Sequence, residues 1–239
     1  MIKQGMILAA GYGIRMRPLT LEIPKPMVKV DNISLIEHTI LGFVEAGINR
    51  IVINLHYLAD KLESHINTIL QKRQLHNRIE VFFSHEEELL ETGGGVKKAL
   101  PFFENKPFFV ANSDSLWIGE QKVFQELTEA FYSYNAKLIL LVTDKERAIG
   151  FKSEKGDCTF VGNKLIINDK NNLAYIGLQI IDPSVIESYS LKKFSLYKIY
   201  QSLSEQQELY GLNFTGDWLH VGDIEALELA NNYFQNLSL

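Results

Sequence analysis

The stretch MILAAGYGIRMRPLTLEIPKPM, from Met6 to Met27, crowds chemistry into a short span. An apolar run ends on Leu8, Ala9 and Ala10. Gly11 and Gly13 follow, then the cations Arg15, Arg17 and Lys25 among Pro18, Pro24 and Pro26. Glycine admits positive φ and lets backbone N–H groups face an anion. Arginine grips phosphate oxygens through two parallel bonds, whereas lysine acts as a mobile point charge. Pro24 and Pro26 restrict the backbone around Lys25, so less entropy is lost when it meets a ligand. Together these residues suit a polyanion lying at the exit of a strand, where ligands gather in parallel sheets. Two common nucleotide motifs do not fit. G-x-G-x-x-G needs a third glycine where Met16 stands, and G-x-x-x-x-G-K-[ST] does not occur.

Two later stretches add polar groups. EEELLETGGGVKKAL places Gly93, Gly94 and Gly95 at a helix start, either to bring backbone against a flat base or as a flexible entry to the helix. The acids Glu86 to Glu88 before it read as a solvated face, and with His85 they do not spell the H-E-x-x-H of a zinc site. PFFVANSDSLW runs apolar and stops at Asn112, Ser113 and Asp114. An acid just past a buried strand either points into the crevice, where a carboxylate suits hard Mg²⁺, or closes the strand as an Asx turn.

The positioning elements are legible as alternation. Apolar runs at Gly5–Ala10, Arg50–Leu55, Ile79–Ser84, Pro107–Asn112 and Lys137–Thr143 read as strands. Helical periodicity falls between them, at Ser34–Gly47, Leu58–Leu70 and Val123–Tyr134, and Thr92–Leu100 opens on glycines and ends as a short helix. This order implies an α/β, Rossmann-like fold, a mainly parallel sheet with helices on both faces. After residue 145 short β runs alternate with Gly, Asn and Asp turns. A return strand at Leu173–Ile181 and helices near Ser195–Gln206 and Ile224–Phe234 complete a small C-terminal β/helical subregion. We expect one domain over 1–239, with a nucleotide-binding half (1–145) and a part that walls off the second substrate (146–239).

The 239 residues carry a net charge of −5, with 46% hydrophobic and 22% charged residues. That disfavours a broad nucleic-acid surface, which needs a basic face. No apolar run approaches a membrane span, and the N-terminal apolar part is too short for a signal peptide. Cys158 is the single cysteine, so no disulfide forms within the chain. The expected location is cytoplasmic, and the chain reads as a monomer or dimer.

The motif LAAGYGIRMRPLTLEIPKP resembles the signature of the sugar-phosphate nucleotidyltransferases, and the resemblance continues through ETGGG, NSD and GDWLHVGDIEAL (Gly216–Leu227). It implies a GT-A-like fold. It also implies a reaction between a nucleoside triphosphate and a sugar 1-phosphate, giving a nucleotide sugar and pyrophosphate with Mg²⁺. Length and the ETGGG element are most similar to the branch that couples UTP to N-acetylmuramate 1-phosphate. By this resemblance Leu8, Ala9, Ala10, Gly11 and Gly13 hold the nucleotide, and Arg15 and Lys25 bind its phosphates. Glu91, Thr92, Gly93 and Gly94 meet the base, Asn112 lies near nucleotide or sugar, and Asp114 binds the metal. Gly156 and Asp157 resemble a Gly-Asp element of that branch, where Asp157 either meets sugar hydroxyls or forms a turn.

One position departs from the family pattern. Where relatives show W-[VL]-D-x-G-T, this chain reads WLHVGD, with His220 at the second metal-binding acid and Asp223 where Thr is common. Imidazole is a poor Mg²⁺ ligand. Three outcomes stay open: Asp114 and the phosphates hold the metal, Asp223 reaches in, or the protein binds nucleotide without turning it over. The first is favoured, with His220 either bonded to a phosphate or metal-bound water or simply packed as a buried histidine. Mannose 1-phosphate with GTP, glucose 1-phosphate with dTTP, phosphocholine with CTP and a non-catalytic nucleotide-sugar sensor are the alternatives.

Overall fold

Apolar runs without polar alternation make strands covered on both faces. The computed structural model describes residues 1–119 and 122–237. Its strands are β1 (Gln4–Leu8), β2 (Lys29–Val30), β3 (Ile33–Ser34), β4 (Arg50–Leu55), β5 (Glu80–His85), β6 (Phe108–Asn112) and β7 (Ser115–Ile118). Then come β8 (Leu138–Asp144), β9 (Ala148–Ile149), β10 (Thr159–Val161), β11 (Lys164–Ile166), β12 (Leu173–Ile181), β13 (Tyr210–Asn213) and β14 (Asp217–His220). The helices are α1 (Leu35–Glu45), α2 (Ala59–Lys72), α3 (Glu91–Ala99), α4 (Val123–Ser133), α5 (Pro183–Glu187), α6 (Leu196–Glu205) and α7 (Ile224–Leu237).

The central sheet has the order β10-β11-β13-β8-β12-β6-β1-β4-β5. β1 runs parallel to β4 and β6, β4 to β5, and β13 to β8. β12 runs against both β6 and β8, and β11 against β10 and β13. The mainly parallel α/β reading therefore holds, with only β11 and β12 reversed. The return strand lies between β6 and β8, so both halves of the chain build one sheet.

Alternate residues of β1 feed opposite faces: Ile7 joins the core under α1, α2 and α4, while Met6 joins the one under α3, α5 and α6. A third cluster unites Met16, Val28 and Leu35 with Leu116, Leu219 and Val221. Met16, which breaks the dinucleotide fingerprint, is fully buried and anchors the glycine loop. Burying such a side chain contributes about 1.5–3 kcal/mol.

Two features aim the end of β6. The register of β12 breaks between Tyr175 and Gln179, where Gly177 has φ 75°. A Cβ there would stand 2.4 Å from Ser115 Oγ and 3.1 Å from Asn112 Cβ, so only glycine lets β12 pass the Asn112–Ser115 turn. Trp117 Nε1 donates to the Ile176 carbonyl at 2.9 Å. A second sheet, β7-β14-β9, pairs His220 with Ser115, and Val221 N donates to the Asp114 carbonyl at 2.9 Å. The sequence reading contained neither β7 nor β14, yet they bring His220 to Asp114.

Candidate active site

The carboxyl ends of β1 and β6 open on a cavity of about 460 Å³. One wall is the backbone from Leu8 to Ile14, and the facing wall holds Leu89, Glu91 and Thr92. Asn54, Asn112, Asp114, Lys25 and Arg15 also line it. Gly13 adopts the left-handed conformation (φ 63°, ψ 31°), and a Cβ on it would lie 2.9 Å from Lys25 Cβ. Thr20 Oγ1 donates to the Gly13 carbonyl at 2.8 Å and pins the turn. A Cβ on Gly11 would meet nothing within 4 Å.

At the floor, Lys25 Nζ lies 2.5 Å from Asp114 Oδ2, and His220 Nε2 lies 3.6 Å from the same oxygen. Burial would raise the Asp114 carboxyl, but the Lys25 ammonium and the His220 ring outweigh it and hold it well below the usual carboxylate range. Asp114 is thus ionised at neutral pH. His220 stacks on Trp218, and among the described residues its Nδ1 is buried with no hydrogen-bond partner. Arg15 is exposed and forms no hydrogen bond or salt bridge among the described residues. The place a Gly222 Cβ would take is 3.4 Å from Arg15 Nη1 and 3.2 Å from His220 Nε2.

A second cavity of about 210 Å³ shares Leu8, Thr92 and Asn112 with the first. Asp157, Cys158, Tyr175, Tyr197 and Tyr200 also line it. Asp157 Oδ2 accepts from Tyr175 N at 2.9 Å, and burial raises its pKa. The Tyr175 hydroxyl is buried without a hydrogen-bond partner among the described residues. A Cβ on Gly156 would stand 2.6 Å from both N and O of Leu173, so glycine seats this loop edge-on against β12. Burial, with Asp157 beside it, pushes the Cys158 thiol up to about 12, which leaves it inert.

The structure gathers Leu8, Ala9, Ala10, Gly11, Gly13, Arg15, Lys25, Glu91, Thr92, Asn112 and Asp114 around the first cavity. Asp157 falls at the second, and His220 abuts Asp114. Gly93 and Gly94 line neither. They lie buried in α3, where a Cβ would stand 2.2 Å from the Phe194 ring and 2.4 Å from the Lys192 carbonyl. Asp223 is also elsewhere engaged: Oδ2 pairs with Lys152 at 2.8 Å, and Oδ1 accepts from Ala226 N at the start of α7. Glu86 corrects the expectation of a solvated face. It is buried, because the Asn54 amide and the Leu90 N–H need its two oxygens as acceptors, while Glu87 and Glu88 are exposed. Sequence reasoning also passed over Asn54 and Tyr175. A polar residue inside the apolar run RIVINL was the available signal for Asn54.

Comparison with known proteins decides the family. The nucleotidyl transferase family model matches residues 4–155. The chain belongs to this family. It is 34% identical over 229 residues to N-acetylmuramate alpha-1-phosphate uridylyltransferase of Caulobacter vibrioides, covering 94% of this chain and 93% of that one. It is 31% identical over 229 residues to the mannose-1-phosphate guanylyltransferase catalytic subunit beta of Drosophila melanogaster, covering 92% of this chain but 59% of that protein. The fold matches a crystal structure of UDP-glucose pyrophosphorylase complexed with UDP-glucose, with a TM-score of 0.80 at 21% identity over 99% of this chain and 100% of the other. Among the described residues no helix is long and apolar enough to cross a membrane.

Proposed function

We propose that this nucleotidyltransferase joins UTP to a sugar 1-phosphate and releases pyrophosphate, with N-acetylmuramate 1-phosphate as the first candidate. The observation that carries this reading is the pair of cavities meeting at Leu8, Thr92 and Asn112, with Lys25 and Asp114 beside that junction. The 34% identical uridylyltransferase supports the choice of UTP and sugar. A second reading, mannose 1-phosphate with GTP, is favoured by the guanylyltransferase relative. It is also favoured by the absence of lysine and arginine from the described wall of the second cavity, where the carboxylate of a muramate would want a cation. A pyrophosphate-release assay across four nucleoside triphosphates and both sugar phosphates tests this, with the UTP and N-acetylmuramate 1-phosphate pair expected to be fastest. No release with any pair would overturn the reading.

A phosphate oxygen of the sugar 1-phosphate attacks the α-phosphorus in line. The new P–O bond forms as the bond to pyrophosphate breaks, and pyrophosphate carries away the electron pair. The nucleophile is already anionic, so no general base is required, and catalysis is positioning with charge neutralisation. The glycine loop offers N–H groups to the nucleotide, and Arg15 and Lys25 offset the charge of two anions brought together. The donor set also fits a divalent cation of the Mg²⁺ type. Asp114 is an ionised carboxylate, and Mg²⁺ is held by one or two carboxylates plus substrate phosphates. Asp114 would hold it, and His220 would orient Asp114 rather than replace it. When bound, the ion supplies further positive charge at the phosphates.

Arg15→Ala should lower kcat by about 10²-fold, with a smaller change in KM for the nucleotide. Unchanged kcat in steady-state kinetics would remove Arg15 from the reaction. Tyr175→Phe should act in two directions. Removing an unpaired buried hydroxyl should raise the unfolding free energy of the free protein, by up to about 1 kcal/mol. Tyr175 lines the second cavity, and we assign its hydroxyl a bond to the sugar phosphate there, whose loss should raise KM for the sugar phosphate about 3- to 10-fold. Thermal unfolding and kinetics on one preparation check both.

A further inference from the structure

Glu86 touches no part of the nucleotide cavity, yet both walls of that cavity hang from it. Its Oε1 accepts from Asn54 Nδ2 at 2.8 Å, and Asn54 Oδ1 accepts from Ala9 N at 2.8 Å, at the root of the glycine loop. Its Oε2 accepts from Leu90 N at 2.9 Å, immediately before Glu91 and Thr92 of the facing wall. The backbone adds a third tie. The Glu86 carbonyl accepts from His56 Nδ1 at 2.8 Å, and His56 Nε2 meets the Tyr12 hydroxyl at 3.1 Å, at the tip of the loop. α3 leaves room for this network. A Cβ on Gly95 would stand 2.8 Å from Glu86 Oε1 and 2.9 Å from Asn54 Nδ2. The third glycine of the ETGGG run therefore serves the carboxylate rather than a ligand.

We propose that Glu86 is a positioning residue for this reaction: through Asn54 and Leu90 it sets the spacing between the glycine loop and the facing wall, and so the fit of the nucleotide. The inference rests on the reading that this cavity takes the nucleoside triphosphate. A carboxylate is required because both side-chain partners are donors. Glutamine has the same shape but one acceptor oxygen, so one contact becomes donor against donor. That logic supplies its own rescue. With Asn54→Asp added to Glu86→Gln, the carboxylate at 54 accepts from Ala9 N and from the new amide, whose oxygen accepts from Leu90 N. The three bonds return and the charge of the pair is unchanged.

The experiment compares wild type, E86Q and N54D/E86Q in UTP titration calorimetry, steady-state kinetics and thermal unfolding. E86Q should raise KM and Kd for UTP about tenfold, the size of one unmatched buried hydrogen bond. It should also shift the UTP-to-GTP ratio of kcat/KM, with kcat at saturation and KM for the sugar phosphate changed less than about threefold. The double variant should return KM for UTP to within about threefold of wild type. A lower Tm in E86Q with unchanged KM and unchanged base ratio would make Glu86 structural only and overturn the proposal. Where E86Q alone does not fold, a double variant whose KM stays raised tenfold overturns it, and a restored KM supports it. A wild-type chain that binds neither UTP nor GTP would instead sink the reading of the cavity itself.

Discussion

Asp114→Asn should cut turnover by about 10²- to 10³-fold while leaving the fold intact. Asparagine has nearly the same shape, so the turn after β6, the Val221 N bond to the Asp114 carbonyl and the β7–β14 pairing all persist. What is lost is charge. Lys25 and His220 both face Oδ2, and their combined effect keeps the carboxyl ionised against the cost of burial. With a neutral amide there, the Lys25 ammonium is freed to meet phosphates, so KM for the nucleotide should stay level or fall while kcat drops. That split separates a role in the reaction from a role in binding. Pyrophosphate release at saturating substrates, with the divalent ion varied, measures it. Full ion-dependent turnover in Asp114→Asn together with its loss in His220→Ala would transfer the role to the histidine.

How much of this was legible in the sequence varies with the source of order. Where apolar periodicity rules, the reading is close: β4 occupies Arg50–Leu55, and β12 occupies Leu173–Ile181, as the pattern suggests. α3 was harder, because three glycines lower helix propensity and suggest a loop. Packing overrides propensity there. The bare helix face lets the Lys192–Phe194 segment and the Glu86–Asn54 pair press against it. The small sheet escaped notice because β7 follows the Asn112–Asp114 turn at once and β14 is four residues long, too short for alternation to show. Its consequence was hidden too. WLHVGD looks like a site with its acid missing until β14 places His220 beside an acid in the turn between β6 and β7. Charge runs mislead for a related reason. Nothing in EEE separates Glu86 from its neighbours, since burial is decided by donors on β4 and ahead of α3. The wall of the first cavity was legible largely through the family signature, whose residues stand in several separate stretches.

Lys25→Met tests the same ion pair from the other side, and there the damage should reach the fold. Methionine keeps the apolar stem but leaves an ionised carboxylate facing only the histidine ring. Removing one partner of a buried pair costs about 3–5 kcal/mol. The two side chains here are 13% and 20% exposed, so solvent screening places the cost at the lower end of that range. The dependence on pH should change with it. In the wild type the folded pKa of Asp114 lies below its unfolded value. Its contribution is therefore complete above the ordinary carboxylate range near about 4 and is lost as pH falls below it. In Lys25→Met the main opposing cation is gone and burial dominates, so the carboxyl is raised and the folded state gains stability as it protonates. The stability gap between the two proteins should then narrow as pH falls from about 7 toward 4, a comparison in which titrating groups remote from the pair cancel. Turnover should drop by about 10²- to 10³-fold as well, because the same ammonium is placed to offset phosphate charge. The double variant closes the argument. If the pair is coupled, Lys25→Met with Asp114→Asn should be more stable than Lys25→Met alone, since no buried charge is left unanswered. Strictly additive losses, with a gap that does not change with pH, would mean that the two groups stand side by side without sensing each other.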